Sequence, residues 1–254
     1  MVALWYGARI QSLTIASVEA KGGATVDLDA IERDVESVLA GDYFFIVPKR
    51  FSYAYPHDEI VAAIKRAPRV DEVSVLRLSP TALSVTITEH TPAALWCAAR
   101  DLESACLFVS EEGFAFAEAP PLQGAVFLRY VTENRSPETG ATLASAEYVR
   151  LTREFVRALI EKRELYAHTI TETRDGDVRY HIRGGGELLV AKDADIQNVF
   201  ENLDAVLASE EFRHLVSGDF MYIDLRFGEK VFIKEFASES ATSTNRVIPE
   251  ATTT

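Results

Sequence analysis

Apolar residues in "VDLDAIERDVESVLAG" (26–41) recur at helical spacing. Ile31, Val35, Val38 and Leu39 stand at i, i+4, i+7 and i+8, which puts them on one face of an amphipathic helix. Asp27 is placed to cap that helix, Val26 and Ile31 to staple its entry, and Gly41 to stop it at C′. A second helix is predicted in "DEIVAAIKRA" (58–67), where Ile60, Ala63 and Ile64 share a face. Asp58 and Glu59 in its first turn suit the helix dipole, and Pro68 ends it. Arg9–Val18 predicts a first strand on Ile10, Leu13, Ile15 and Val18, broken by Gly22-Gly23. "VDEVSVLRL" (70–78) and "LSVTITEH" (83–90) predict two more strands joined at Ser79-Pro80-Thr81. In the second of these, Leu83, Val85 and Ile87 point to the core, while Ser84, Thr86 and Thr88 point to water. Between the helices, "DYFFIVPKRFSYAYP" (42–56) is crowded with aromatics and broken by prolines, and it predicts an ordered, packed loop.

The order strand, helix, helix, strand, strand describes a small sheet with helices on one face, and Pro92 marks its end. Beyond it the pattern changes. "AALWCAARDLESACLFVSEEGFAFAEA" (93–119) predicts short strands, with Glu112-Gly113 in a tight turn. "SAEYVRLTREFVRALIEKREL" (145–165) is the one long helix, its stripe formed by Val149, Leu151, Phe155, Val156, Leu159 and Ile160. Asp175-Gly176 predicts a hairpin turn between alternating strands. "DADIQNVFENLDAVLAS" (193–209) predicts another helix with Ile196, Val199, Phe200, Leu203 and Leu207 inward, and "MYIDLRFGEKVFIKEF" (221–236) predicts two strands around Gly228. The fold class is therefore α+β.

Charge narrows the function. With 39 acidic and 26 basic residues, the formal net charge of −13 repels phosphate backbones and argues against nucleic-acid binding. No window has the eighteen or more apolar residues that a membrane-spanning helix needs. The start, "MVALWYG", is apolar and aromatic but too short to span a bilayer or act as a signal peptide. Either a disordered or strand-leading start or a membrane-proximal remnant of an anchor fits it, the latter because aromatic residues favour the membrane interface. The tail after Phe236, rich in Ser and Thr, predicts disorder.

Candidate chemistry is sparse. Glu89 and His90 are neighbours on a strand, so their side chains point to opposite faces, which argues against their acting on one substrate atom. His57, His90, His168, His181 and His214 lack metal-ligand spacing, so neither a metal nor a cofactor is expected. Gly184-Gly185-Gly186 lacks the residues of a phosphate-binding loop and predicts a hairpin or bulge. Cys97 and Cys106 flank "AARDLESA", which predicts a loop between two strands. Either a disulfide across it or two buried free thiols fits.

On these residues the chain resembles the extracytoplasmic part of the bacterial division family FtsQ/DivIB, over roughly Arg9–Phe236. Its first part is similar to a POTRA domain. The family's run is met by Pro68, Val70, Val73, Val75, Arg77, Pro80, Leu83, Val85, Ile87, Glu89, Pro92 and Ala94, with His90 where the family usually has Arg. Its second part is similar to the family's β-domain through "LFVSEEGFAF", where Ser110 replaces the usual Asp, and "YIDLRFGEKVFIK". The resemblance implies a POTRA domain at 9–91 and a β-domain at 92–236, flanked by a membrane-proximal start at 1–8 and the tail at 237–254. It implies a non-enzymatic division scaffold, single-pass at the septal cell membrane through an upstream helix, with this region extracytoplasmic. Its partners would be FtsB/FtsL-like coiled-coil proteins and other components of the division complex. The partner would add a strand beside the last strand, at a site formed by Tyr222, Arg226, Phe227, Val231, Phe232, Ile233 and Lys234. Arg226 stands where the family has an arginine able to meet an acidic partner residue, and Phe227 replaces the usual Tyr. Two other classes fit less of the chain: a POTRA module of an outer-membrane or secretion assembly protein, and a cell-wall enzyme working through Glu89, His90 or a carboxylate pair.

Overall fold

Asp27 adopts an extended backbone and its carboxylate accepts from the Ala30 N–H, which starts α1 (Leu28–Val38). The computed structural model describes residues 10–98, 101–122, 126–133, 136–216 and 219–236, except the side chains of 101–105. The expectations for 1–8 and for the tail from 237 therefore lie outside the described residues. The chain divides into two units, one ending at His90 and the other starting at Thr91.

In the first unit, β1 (Ser17–Gly22) is followed by α1, a small hairpin of β2 (Asp42–Tyr43) and β3 (Val47–Pro48), α2 (His57–Ile64), β4 (Val70–Ser79) and β5 (Ala82–Glu89). The sheet order is β1-β5-β4, with β1 parallel and β4 antiparallel to β5. Ile31, Val35 and Leu39 from α1 and Ile60 and Ile64 from α2 pack on Leu83, Val85 and Ile87, and all eight are buried. The Ala20 N–H of β1 donates to Glu32 on α1 at 2.9 Å. Several expectations shift, and the loop predicted over 42–56 contains the β2–β3 hairpin with Phe44 and Phe45 exposed. Gln11–Leu13 is a 3-10 turn and the first strand begins only at Ser17, where pairing with β5 starts. Gly41, with φ of 86°, lies one residue beyond C′, because α1 ends with Leu39 as its C-cap. Ser84, expected in water, is buried.

The second unit contains β6 (Ala94–Ala98), β7 (Asp101–Val109), β8 (Ala115–Glu118), β9 (Arg129–Thr132), α3 (Ala146–Arg163), β10 (Ala167–Glu172), β11 (Val178–Ile182), β12 (Glu187–Val190), α4 (Ile196–Ala208), β13 (Phe220–Phe227) and β14 (Lys230–Glu235). Its strands form one mixed sheet in the order β14-β13-β12-β11-β10-β9-β6-β7-β8. The pairs β6–β9, β9–β10 and β12–β13 are parallel. One face carries α3 and α4, with Phe155, Leu159, Leu203, Tyr130, Tyr180 and Ile223 in the core between. Phe155 stands edge-on to Tyr180 with ring centroids 4.9 Å apart.

The opposite face of β6, β7 and β9 holds a smaller cluster of Leu95, Cys97, Cys106, Ala119 and Val131. Cys97 and Cys106 are register partners with Cα atoms 4.0 Å apart, and their sulfurs are bonded. The predicted loop "AARDLESA" is shorter than expected, because residues from Asp101 onward already belong to β7. β9 carries no sequence signal: four residues are too few to show a period, yet it is paired on both sides.

Candidate functional site

The terminal hairpin is built by alternation. Ile223, Leu225 and Val231 are buried in the helix-side core, and Ile233 packs partly against it. Tyr222, Asp224 and Arg226, with Phe232 and Lys234 opposite, take the other face. Gly228, at φ 64°, turns the chain between the strands, and Asn202 of α4 donates to its carbonyl at 3.0 Å. β13 is paired on its inner side with β12 through Glu187↔Tyr222 and Leu189↔Asp224. β14 is the last strand of the sheet, so among the described residues its outer row of N–H and C=O groups has no strand partner. The other end of the sheet differs. There β8 is covered at its start by the segment 140–143, through Ala115 N–H to Ala141 carbonyl and Gly140 N–H to Ala115 carbonyl.

The seven residues expected to bind a partner therefore divide. Phe232 is half-buried, Lys234 is exposed, and Phe227 is 56% exposed and lies edge-on to Phe232 with centroids 5.4 Å apart. Tyr222 is half-buried on the same face. The side chains of Val231 and Ile233 are committed to the core, so these residues offer an incoming strand mainly their main chain.

Arg226 is not a bare cation. Its Nε and Nη2 donate to the two Asp224 carboxylate oxygens at 2.9 and 2.7 Å, and its Nη1 donates to Asp177 at 2.6 Å. These bonds, to Asp224 first and to Asp177 second, raise the guanidinium pKa above its ordinary value. Asp224 is buried, so Arg226 is its compensating charge. Neither carboxylate was singled out from sequence. Asp224 was legible as the same-face neighbour two residues before Arg226; Asp177, in a distant hairpin, was not.

Glu89 and His90 do different work. The Glu89 Oε1 accepts from the N–H groups of Ala24, Thr25 and Val26 at 2.8, 2.7 and 2.8 Å, and its Oε2 accepts from the Thr25 hydroxyl at 2.6 Å. The carboxylate thus fills a concave nest of main-chain donors in the turn after Gly22-Gly23. Burial works to raise its pKa, but the hydrogen bonds from Thr25, Val26 and Ala24 outweigh it and hold the group at about 2. The ring of His90 turns instead toward Asp71, with Nδ1 at 3.6 Å. Elsewhere His181 sits between Glu187 at 3.2 Å and Thr171 at 2.9 Å, and burial lowers its pKa. Among the described residues no group of three or more His, Cys, Asp or Glu is arranged to hold a metal ion. Comparison with models of known protein families and with curated proteins finds no match.

Proposed function

We propose that this chain is the extracytoplasmic part of a bacterial division scaffold of the FtsQ/DivIB type, non-enzymatic, at the septal membrane. It takes an FtsB/FtsL-like coiled-coil partner by strand addition and helps control septal peptidoglycan synthesis. The first unit corresponds to the POTRA domain and the second to the β-domain of that family. The observation that carries this reading is β14, an edge strand whose outer side is open among the described residues and which bears Phe232 and Lys234 on one face. The order of strands and helices in the first unit, β-α-α-β-β apart from the small β2–β3 hairpin, supports the POTRA assignment.

The test is a titration of the whole chain with an FtsB–FtsL coiled-coil pair, read by calorimetry and by amide hydrogen exchange. Binding should protect the amides of residues 230–235. Phe232→Lys should weaken binding by roughly tenfold or more without unfolding the unit, because the ring is only half-buried. Unchanged affinity, or protection confined to other strands, would refute strand addition at β14. No binding at all would favour a POTRA module of an assembly protein.

A further inference from the structure

The turn between β2 and β3 uses residues that local physics disfavours. The Ile46 N–H donates to the Tyr43 carbonyl at 3.0 Å, closing a four-residue β-turn whose central residues Phe44 (φ 50°) and Phe45 (φ 62°) are both left-handed. Turns of this kind favour Asn-Gly, because a Cβ crowds the backbone in the left-handed region. The rings gain no packing in return, since Phe44 is 88% and Phe45 is 93% exposed. Folding alone gives no reason to place two phenylalanines there.

The surroundings indicate what they meet. Two adjacent rings, each almost fully exposed at the end of a hairpin, suit an apolar acceptor that can deform around them. Tyr43, which immediately precedes the tip, lies under a cation, with Lys49 Nζ 5.8 Å from its ring. Lys49 is also paired with Glu59, and Arg50 with Glu36, so the local charges are compensated. The base of the hairpin is bonded to the entering chain, through Ile15 N–H to the Arg50 carbonyl and Ser52 N–H to the Leu13 carbonyl.

We propose that Phe44 and Phe45 insert into the headgroup–acyl boundary of a phospholipid bilayer and hold the first unit against it. A tyrosine at headgroup level beside deeper phenylalanines matches the partition of aromatic side chains at membrane interfaces. The insertion is apolar, not electrostatic, and it is independent of the partner strand at β14.

The test compares the whole chain with the double variant F44N/F45G by flotation with zwitterionic phosphatidylcholine vesicles at millimolar lipid. The wild-type chain should float. The variant should partition roughly ten- to a hundredfold less, with a Tm equal to or above wild type, because Asn-Gly suits the turn. Added salt or anionic lipid should not strengthen wild-type binding. Equal flotation of the two proteins, or none by either, would overturn the proposal. A lower Tm for the variant would overturn it by showing that the rings serve the fold. Self-association of the wild type lost in the variant, with no difference in flotation, would make a second copy the occupant instead.

Discussion

Replacing Glu89 isolates one carboxylate that ties the end of β5 to the turn leading into α1. Its native pKa of about 2 lies below the ordinary 4.5, so its stabilisation is complete above pH 4.5 and disappears as pH falls toward 2. At about 1.4 kcal/mol per pH unit, the difference sets a ceiling of about 3 kcal/mol. The group stands partly in solvent, and screening reduces this to about 1–2 kcal/mol. Glu89→Gln keeps an oxygen for the three N–H donors but loses the charge, and should cost about 1 kcal/mol at pH 7. Glu89→Ala leaves the Ala24, Thr25 and Val26 donors to water and should cost about 2 kcal/mol. The assay is urea denaturation of the whole chain at pH 7 and at steps down to pH 2, with segment-resolved hydrogen exchange to follow the first unit. Wild type should lose stability more steeply than Glu89→Gln between pH 4.5 and 2. Equal slopes in that window, or an Ala variant as stable as wild type at pH 7, would show that the nest contributes nothing.

Two further outcomes test other parts of the structure. Native protein should show no reactive thiol until it is reduced, and Cys97→Ser/Cys106→Ser should cost about 2–3 kcal/mol by denaturation, since the bridge closes a short loop within a buried cluster. Free thiols under native, non-reducing conditions would contradict the bond. Arg226→Ala should cost about 2 kcal/mol because it strands buried Asp224, whereas Asp177→Ala should cost less than about 1 kcal/mol. Equal costs would mean that Asp224 does not depend on its arginine.

Several elements were readable from residue order because their information is local. Ile31, Val35 and Leu39 share a helix face by spacing alone, and all three are buried. Leu83, Val85 and Ile87 face the core by the two-residue period of a strand. Asp27 caps α1, and Asp175-Gly176 lies in the turn between β10 and β11, because such preferences depend on a few neighbouring dihedrals. The terminal strands around Gly228, including the residues proposed to meet a partner, were legible in the same way.

What was not readable depends on partners far away in the chain. The first strand was placed too early because Ser17–Gly22 becomes a strand through parallel pairing with Ala82–Ile87, and no local pattern encodes that register. β9 exists because β6 and β10 flank it. The nest that holds Glu89 lies 63 to 65 residues away, and Asp177, which pairs with Arg226, lies 49 residues away, so neither partner is visible locally. The aromatic run at 42–56 was read as packed because composition reports hydrophobicity but not direction. Phe44 and Phe45, at the centre of the Tyr43–Ile46 turn, face solvent instead. Sequence by itself determined periods, caps and turns, whose energies are set within a few residues. The tertiary structure decided strand order, charge pairing and which apolar groups reach solvent, because those energies arise only when distant segments meet.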